Sequence, residues 1–326
     1  MAAQTLTLGK ALNLGLRKAM EDDAKVVLMG EDIGKLGGVF RITDGLQKDF
    51  GDDRVVDTPL AEAGILGTAV GLAMRGYRPV CEIQFDGFVF PAYNQIVTQV
   101  AKIHARSRGR LPMPIVIRIP FGGGIGAVEH HSESPEAYFA HTAGLKVVAV
   151  SNPVDAYFGI QQAIASPDPV VFLEPKRRYW ERAEVDVDAV PEPLFGSRVV
   201  RAGDDVTVLA YGPMVKTALQ AAQAAEEEGR SLEVVDLRTL SPLDLPRVYD
   251  SVRKTGRVVV THEAHVNLGL GSELAARITE ECFYSLEAPV LRVGGFDTPY
   301  PPSRIEEDYL PDLDRVLDAV DRTLDF

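Results

Sequence analysis

The sequence predicts an α/β protein of two domains, and three observations carry that expectation. Short runs such as 25–30 (KVVLMG), 114–120 (PIVIRIP) and 170–174 are largely apolar rather than alternating, as strands covered on both faces are. Helical spacing follows these runs in turn, which indicates a parallel sheet with right-handed crossovers. The pattern then breaks at 181–203, where acidic residues with Pro191 and Pro193 mark a linker, and resumes beyond it. The expected division is a domain over 1–180, a linker over 181–203 and a smaller α/β domain over 204–326.

Taken in order, residues 5–23 read as a helix with Leu8, Leu12, Leu16 and Ala19 on one side. Strand 25–30 ends at Glu31-Asp32 and leads into a glycine-bearing loop, 34–38. After Val55-Val56 comes helix 57–76, then strand 78–83 and the loop Gln84-Phe85-Asp86-Gly87. A helix over 88–106 carries Val89, Tyr93, Ile96, Val100 and Ile103. Strand 114–120, a loop over 121–135 and a short helix follow. Strand 146–150, helix 155–165 and strand 170–174 close the first domain. In the second, strands 206–211, 232–237, 257–261 and 289–293 alternate with helices 215–228, 245–254, 268–281 and 313–324.

Helix 57–76 organises the rest. Thr58 suits an N-cap, Pro59 the first helical position and Gly76 a stop. Its body is apolar or small on every side, so it is expected to be buried. Glu62 is the one ionisable residue between Asp57 and Arg75, and it heads a stripe of Ile65, Leu66, Ala69 and Ala73. A carboxylate there is costly unless something answers it. A capping box would place its acid at position 61, one residue earlier, so that role does not fit. A general favourable effect near the helix N-terminus is the structural alternative. The sharper reading is that Glu62 binds or tunes a polar ligand. Gly64, Gly67 and Gly71 share one face, each costing about 1 kcal/mol in a helix interior. They suggest close approach by another backbone, within the chain or at a subunit interface.

The chain has 326 residues, enough for two cores, with 46% hydrophobic and 25% charged content. Its net charge of −13 argues against nucleic acid and permits a basic partner domain. Cys81 and Cys282 form no ligand motif and suggest reduced thiols in a cytoplasmic protein. No charged-then-apolar leader opens the sequence and no apolar run reaches membrane-spanning length, so no membrane partner is expected.

Further side chains suggest chemistry. The loop Phe121-Gly-Gly-Gly-Ile-Gly-Ala-Val-Glu-His130-His131-Ser-Glu-Ser-Pro135 follows a strand end, where parallel sheets gather ligands. It lacks the spacing and lysine of a P-loop. A metal site from His130, His131 and Glu133 is disfavoured, because adjacent histidines point apart. Proton transfer or hydrogen bonding to a substrate fits the pair better. Gln84-Phe85-Asp86-Gly87-Phe88 sits at another strand end, where its aromatics belong either to the core or against a flat ring. Thr261-His-Glu-Ala-His265 has the wrong spacing for a zinc helix and reads as strand-end surface or interface.

Together these residues resemble a known family. Asp57-Thr-Pro-Leu-Ala-Glu62 with Gly67 and Gly71 resembles the signature of a transketolase-like pyrimidine-binding domain of thiamine diphosphate enzymes. Glu82-Ile-Gln-Phe, Phe90-Pro-Ala-Tyr-Asn-Gln-Ile, His131-Ser-Glu-Ser-Pro-Glu-Ala-Tyr-Phe-Ala-His141, Gly144-Leu-Lys-Val-Val and Phe172-Leu-Glu-Pro-Lys176 narrow it. They resemble the β subunit of decarboxylating components of 2-oxo acid dehydrogenase complexes. The likeness runs over nearly the whole chain and implies a C-terminal transketolase-type domain. It implies that Glu62 hydrogen-bonds the aminopyrimidine ring and promotes the tautomer that removes the thiazolium C2 proton, after which the 2-oxo acid loses CO2 into an electron sink. By the same resemblance Leu60, Gln84, Phe85 and Phe88 line the cofactor ring. His131 matches a residue of substrate contact and acyl transfer to a lipoyl group, and His130 has no such match. Many branched-chain members have tyrosine where Phe88 stands.

The family's Gly-Asp-Gly metal motif with its later Asn-Asn is missing: Gly51-Asp-Asp53 and Gly203-Asp-Asp205 do not qualify. The resemblance therefore implies an α2β2 heterotetramer whose α subunit holds the diphosphate and Mg2+, with the cofactor at the α–β interface. It implies docking to a lipoyl acyltransferase core through the C-terminal domain. It also implies a potassium site on Ile115, Ala163, Ile164, Ser166 and Asp168, as in some relatives. Branched-chain 2-oxo acids are the first expected substrates, from the His131-Ser-Glu-Ser-Pro-Glu-Ala run, with pyruvate or acetoin the alternative. A non-catalytic α/β scaffold is the reading from another class, though a scaffold has no use for Glu62. A self-contained transketolase-like enzyme is disfavoured by the missing metal motif.

Overall fold

The computed structural model describes residues 3–326. Two compact units emerge: one takes the chain up to Phe121 together with Tyr138–Leu194, the other Gly122–Ala137 with Phe195–Phe326. The glycine-rich loop beyond Phe121 thus belongs with the C-terminal unit.

In the first unit, strand β1 (Gln4–Thr7) pairs antiparallel with β8 (Arg182–Val185). Between them lie β2 (Val26–Gly30), β3 (Val55–Asp57), β4 (Arg78–Glu82), β5 (Val116–Phe121), β6 (Lys146–Ala149) and β7 (Val170–Pro175). These six pair in parallel in the order β6-β7-β5-β4-β2-β3. The apolar strand runs are buried along nearly their whole length, as expected of a sheet covered on both faces. Helix Leu8–Asp22 begins later than expected, because residues 4–7 are spent on β1 and Thr7 caps the helix by accepting the Lys10 N–H.

The organising helix spans Glu62–Met74. It starts four residues after Thr58, its N-cap is Ala61, and no side chain caps it, which corrects the expected Thr58 cap. The stripe Ile65, Leu66, Ala69 and Ala73 is buried as expected. The opposite face is not: Gly64, Gly67, Thr68, Gly71 and Met74 are exposed. A Cβ placed on Gly67 or Gly71 would meet nothing within 4 Å.

The expected helix over 88–106 is broken into a 3-10 stretch Asp86–Ala92, one turn Tyr93–Gln95, a π stretch Ile96–Val100 and a final turn Ile103–Arg106. Pro91 removes a backbone donor, and the Ala101 N–H reaches back to Ile96 to form a wide turn.

The second unit has β9 (Arg198–Arg201), β10 (Val206–Ala210), β11 (Leu232–Asp236), a short β12 (Thr239–Ser241), β13 (Val258–His265) and β14 (Leu291–Gly295). The order β14-β13-β10-β11-β9 is parallel except for β9. Helices Met214–Glu227 and Leu313–Leu324 pack on one core with Val208, Val234 and Val259. Stretch 181–203 therefore carries β8 in one unit and β9 in the other. Thr261–His265, expected at a strand-end surface or interface, lies within β13 with His262 and Glu263 buried inside the unit, because β13 has a partner on each side.

Candidate active site

In the first unit the strand order sets the C-terminal ends of β3, β2 and β4 side by side. Gly30 pairs with Asp57 and Met29 with Cys81, so Glu31 and Thr58 leave their strands at one level, one residue beyond Glu82. Carboxyl ends of parallel strands are where such sheets bind ligands. Glu62 opens its helix at this edge and is only 7% exposed. Glu31 is buried beside it. Burial pushes the Glu31 acid up, the Glu62 and Asp32 charges push it further, and the Ala61 N–H opposes them. Among the described residues, Glu31 Oε1 and Thr58 Oγ1 are buried without a hydrogen-bond partner. A crowded acid pair with unsatisfied oxygens fits a polar ligand with donors of its own.

The predicted ring-lining residues gather at the same edge. Gln84 Nε2 donates to Asp32 Oδ2 at 3.2 Å and Glu31 O at 3.3 Å. Phe85 meets Phe88 edge-on at 6.0 Å and Phe40 at 5.4 Å. Leu60 is 82% exposed, so its apolar side chain has no cover from this chain.

Beneath these groups lies a network the sequence reading missed. Arg118 on β5 binds Glu82 at 2.6 Å and Glu174 on β7 at 2.6 and 2.9 Å, and the Tyr179 hydroxyl donates to Glu174 at 2.6 Å. All four are buried. Burial pushes the Glu82 acid up against the opposing pull of Arg118. Lys176 pairs with Asp86, also buried, and its ammonium lies 5.8 Å from the Phe85 ring centre. Their signal was present: an arginine or glutamate inside an apolar strand run is as costly as Glu62.

The five positions matched to a potassium site share one corner of this unit. Ile115 O accepts the Val170 N–H, Ala163 O the Ser166 N–H, and Asp168 O the Ser166 hydroxyl. Arg78 donates to Ile164 O at 2.8 Å and Ser166 O at 3.4 Å. Burial would raise the Asp168 acid, but Lys146 at 3.0 Å and His104 at 2.8 Å outweigh it and hold it below the ordinary value.

His131 belongs to the second unit, on the turn Glu129–His131, with the exposed His130 ring 4.4 Å away. The loop around it is tied to carboxylates. Gly123 N–H donates to Glu263 Oε2 at 2.9 Å, and Gly124 and Gly126 donate to the two oxygens of Glu306. The Tyr211 hydroxyl donates to Glu136 at 2.6 Å, and burial pushes that acid up to about 7. The Tyr211 ring stacks on His262, whose Nδ1–H donates to Ala264 O while Nε2 accepts the Gly271 N–H. Burial accordingly lowers His262 to about 4. Among the described residues, no three His, Cys, Asp or Glu side chains are grouped to hold a metal ion, and no helix is long and apolar enough to cross a membrane.

The chain thus joins an α/β unit with a buried acid at the carboxyl edge of its parallel sheet to a second α/β unit, as transketolase-type proteins do. Residues 4–181 match the transketolase pyrimidine-binding domain and 196–316 the transketolase C-terminal domain. The solved structure titled split gene transketolase, inactive beta4 tetramer, shares the fold with a TM-score of 0.82 at 24% identity, covering 98% of each chain. The chain is 64% identical over 321 residues to the pyruvate dehydrogenase E1 component subunit beta of Leifsonia xyli subsp. xyli, covering 98% of this chain and 95% of that one. It is 56% identical over 323 residues to the 3-methyl-2-oxobutanoate dehydrogenase subunit beta of Mycobacterium tuberculosis, covering 98% and 92%. The chain belongs to this family of 2-oxo acid dehydrogenase β subunits.

Proposed function

We propose that this β subunit works with an α subunit to decarboxylate a 2-oxo acid and pass the acyl group to lipoyl-lysine of an acyltransferase. Thiamine diphosphate, when bound, supplies the electron sink for the departing CO2. The observation that carries the reading is Glu62, buried at a strand-end edge beside the unsatisfied oxygens of Glu31 and Thr58. Glu62 shares a proton with a ring nitrogen of the aminopyrimidine, and Leu60, Gln84, Phe85 and Phe88 line that ring. His131 contacts substrate and serves acyl transfer. The exposed face of Gly64, Gly67 and Gly71 supports a contact with another subunit in an α2β2 assembly, and the α subunit holds the diphosphate and Mg2+.

The division at 181–203, with the C-terminal domain serving assembly and docking to the acyltransferase core, belongs to the same proposal. The free, buried Cys81 and Cys282 agree with a cytoplasmic site of action. The potassium proposal rests on the second lone pairs of the carbonyls at Ile115, Ala163, Ile164, Ser166 and Asp168. Its test is the melting temperature of the complex in potassium against sodium salt, which should differ by several degrees.

Branched-chain 2-oxo acids are the first substrate reading and pyruvate the second, the latter favoured by the name of the 64% identical relative. The test is co-purification with the α subunit, then thiamine-diphosphate-dependent decarboxylation of pyruvate and 3-methyl-2-oxobutanoate. The higher kcat/KM assigns the substrate. Tight, magnesium-dependent binding of the cofactor by the β chain alone, in calorimetry, would contradict the shared site.

A further inference from the structure

Glu306 is 3% exposed and opens the short helix Glu306–Tyr309. Its Oε1 accepts the Gly124 N–H and its Oε2 the Gly126 N–H, both at 2.9 Å. The Tyr300 hydroxyl donates to the same Oε1 at 2.6 Å. Gly124 and Gly126 have φ of +81° and +70°, so the backbone turns toward the carboxylate in a conformation L side chains rarely adopt. Two amides converging on one anion form a concave backbone site of the kind that binds anions firmly. Here the anion is the protein's own. The segment so fastened continues directly to the turn Glu129–His131. Glu306 stands 180 residues from Gly126, and Glu307 and Asp308 already supply acids to the same first turn.

We propose that Glu306 is a positioning residue for His131. It acts through the backbone of the loop and touches neither substrate nor cofactor. Fastened at Gly124 and Gly126, the loop spends its time in the arrangement that presents His131. Released, it divides its population, and acyl transfer slows by the fraction lost. The proposal rests on the reading above that His131 serves acyl transfer.

The test uses the reconstituted complex with Glu306→Gln, which keeps one acceptor and turns an NH2 toward the other glycine amide. Three quantities are measured: decarboxylation with an artificial electron acceptor, acylation of a free lipoyl domain, and hydrogen exchange at Gly124 and Gly126. The expected result is exchange at least tenfold faster and kcat for acylation at least tenfold lower. KM for the lipoyl domain should stay within threefold, decarboxylation should fall by clearly less than acylation, and Glu306→Asp should recover part of the loss. Unchanged exchange, wild-type acylation, or an equal loss in both half-reactions would overturn the proposal. If Glu306→Gln does not assemble, Glu306→Asp is read in the same way. If neither assembles, Glu306 is a folding residue and the proposal fails. A wild-type complex that performs neither half-reaction overturns instead the functional reading on which the proposal rests.

Discussion

Arg118 grips Glu174 through two N–H···O bonds of 2.6 and 2.9 Å, one to each carboxylate oxygen, wholly inside the first unit. The guanidinium also binds Glu82, so one cation serves two carboxylates at the strand ends beneath the candidate site. Replacing it strands both acids away from water. Arg118→Met should destabilise the β chain by about 3–5 kcal/mol in urea unfolding. The deficit should shrink as pH falls, since protonation removes the buried charges. Adding Glu174→Leu should recover part of it, a non-additivity that a double-mutant cycle would register. A loss under about 1 kcal/mol would mean that water reaches the network.

Tyr211 joins two groups whose titrations oppose each other. Glu136, raised from 4.5 to about 7, holds a proton in the folded chain that the unfolded chain has released. Its contribution therefore falls as pH rises from 4.5 to 7. His262, lowered from 6.5 to about 4, stays neutral when the unfolded chain is protonated, so its contribution is lost as pH falls from 6.5 to 4. Each is worth about 3 kcal/mol across its window, and the two nearly cancel where the windows overlap. Glu136→Gln keeps an acceptor for the Tyr211 hydroxyl and leaves the histidine slope exposed. Between pH 6.5 and 4.5 its stability should drop by about 2–3 kcal/mol more than the parent's does. A variant whose profile runs parallel to the parent's would remove Glu136 from the account.

The exposed glycine face makes a separable prediction. A Cβ at Gly67 or Gly71 meets nothing within 4 Å in the chain itself and the face is exposed, so Gly67→Leu and Gly71→Leu should fold at least as well as the parent, with a gain of up to about 1 kcal/mol in helix propensity. Assembly with the α subunit, followed by light scattering, should instead be lost. Normal α2β2 complexes from both variants would take that face out of the interface.

What was legible in the sequence follows from the range of the interactions. Glu62 showed itself because an isolated acid stands against apolar neighbours at helical spacing, all within a dozen residues. The parallel sheet showed itself through continuous apolar strands. Arg118 and Glu174 carried the same local signal and were passed over, because each strand was read for period rather than for its charged member. The roles of Glu263 and Glu306 left no local trace: their partners are glycine amides 140 to 182 residues away, and sequence spacing alone does not bring those amides to them. The break at Pro91 and the wide turn after it lay hidden under apolar spacing that a helix of either pitch satisfies. The open side of helix Glu62–Met74 was hidden too, since residue type cannot tell a face covered by its own chain from one left for another.

The most direct measurement is the decarboxylation rate of the reconstituted complex carrying Glu62→Ala, with assembly checked by light scattering on the same sample. Loss of a proton-sharing acid should lower turnover about 10²–10⁴-fold while the complex forms as in the parent. Turnover within a few-fold of the parent in an intact complex would contradict the role assigned to Glu62, and with it the account of this edge as the cofactor's seat.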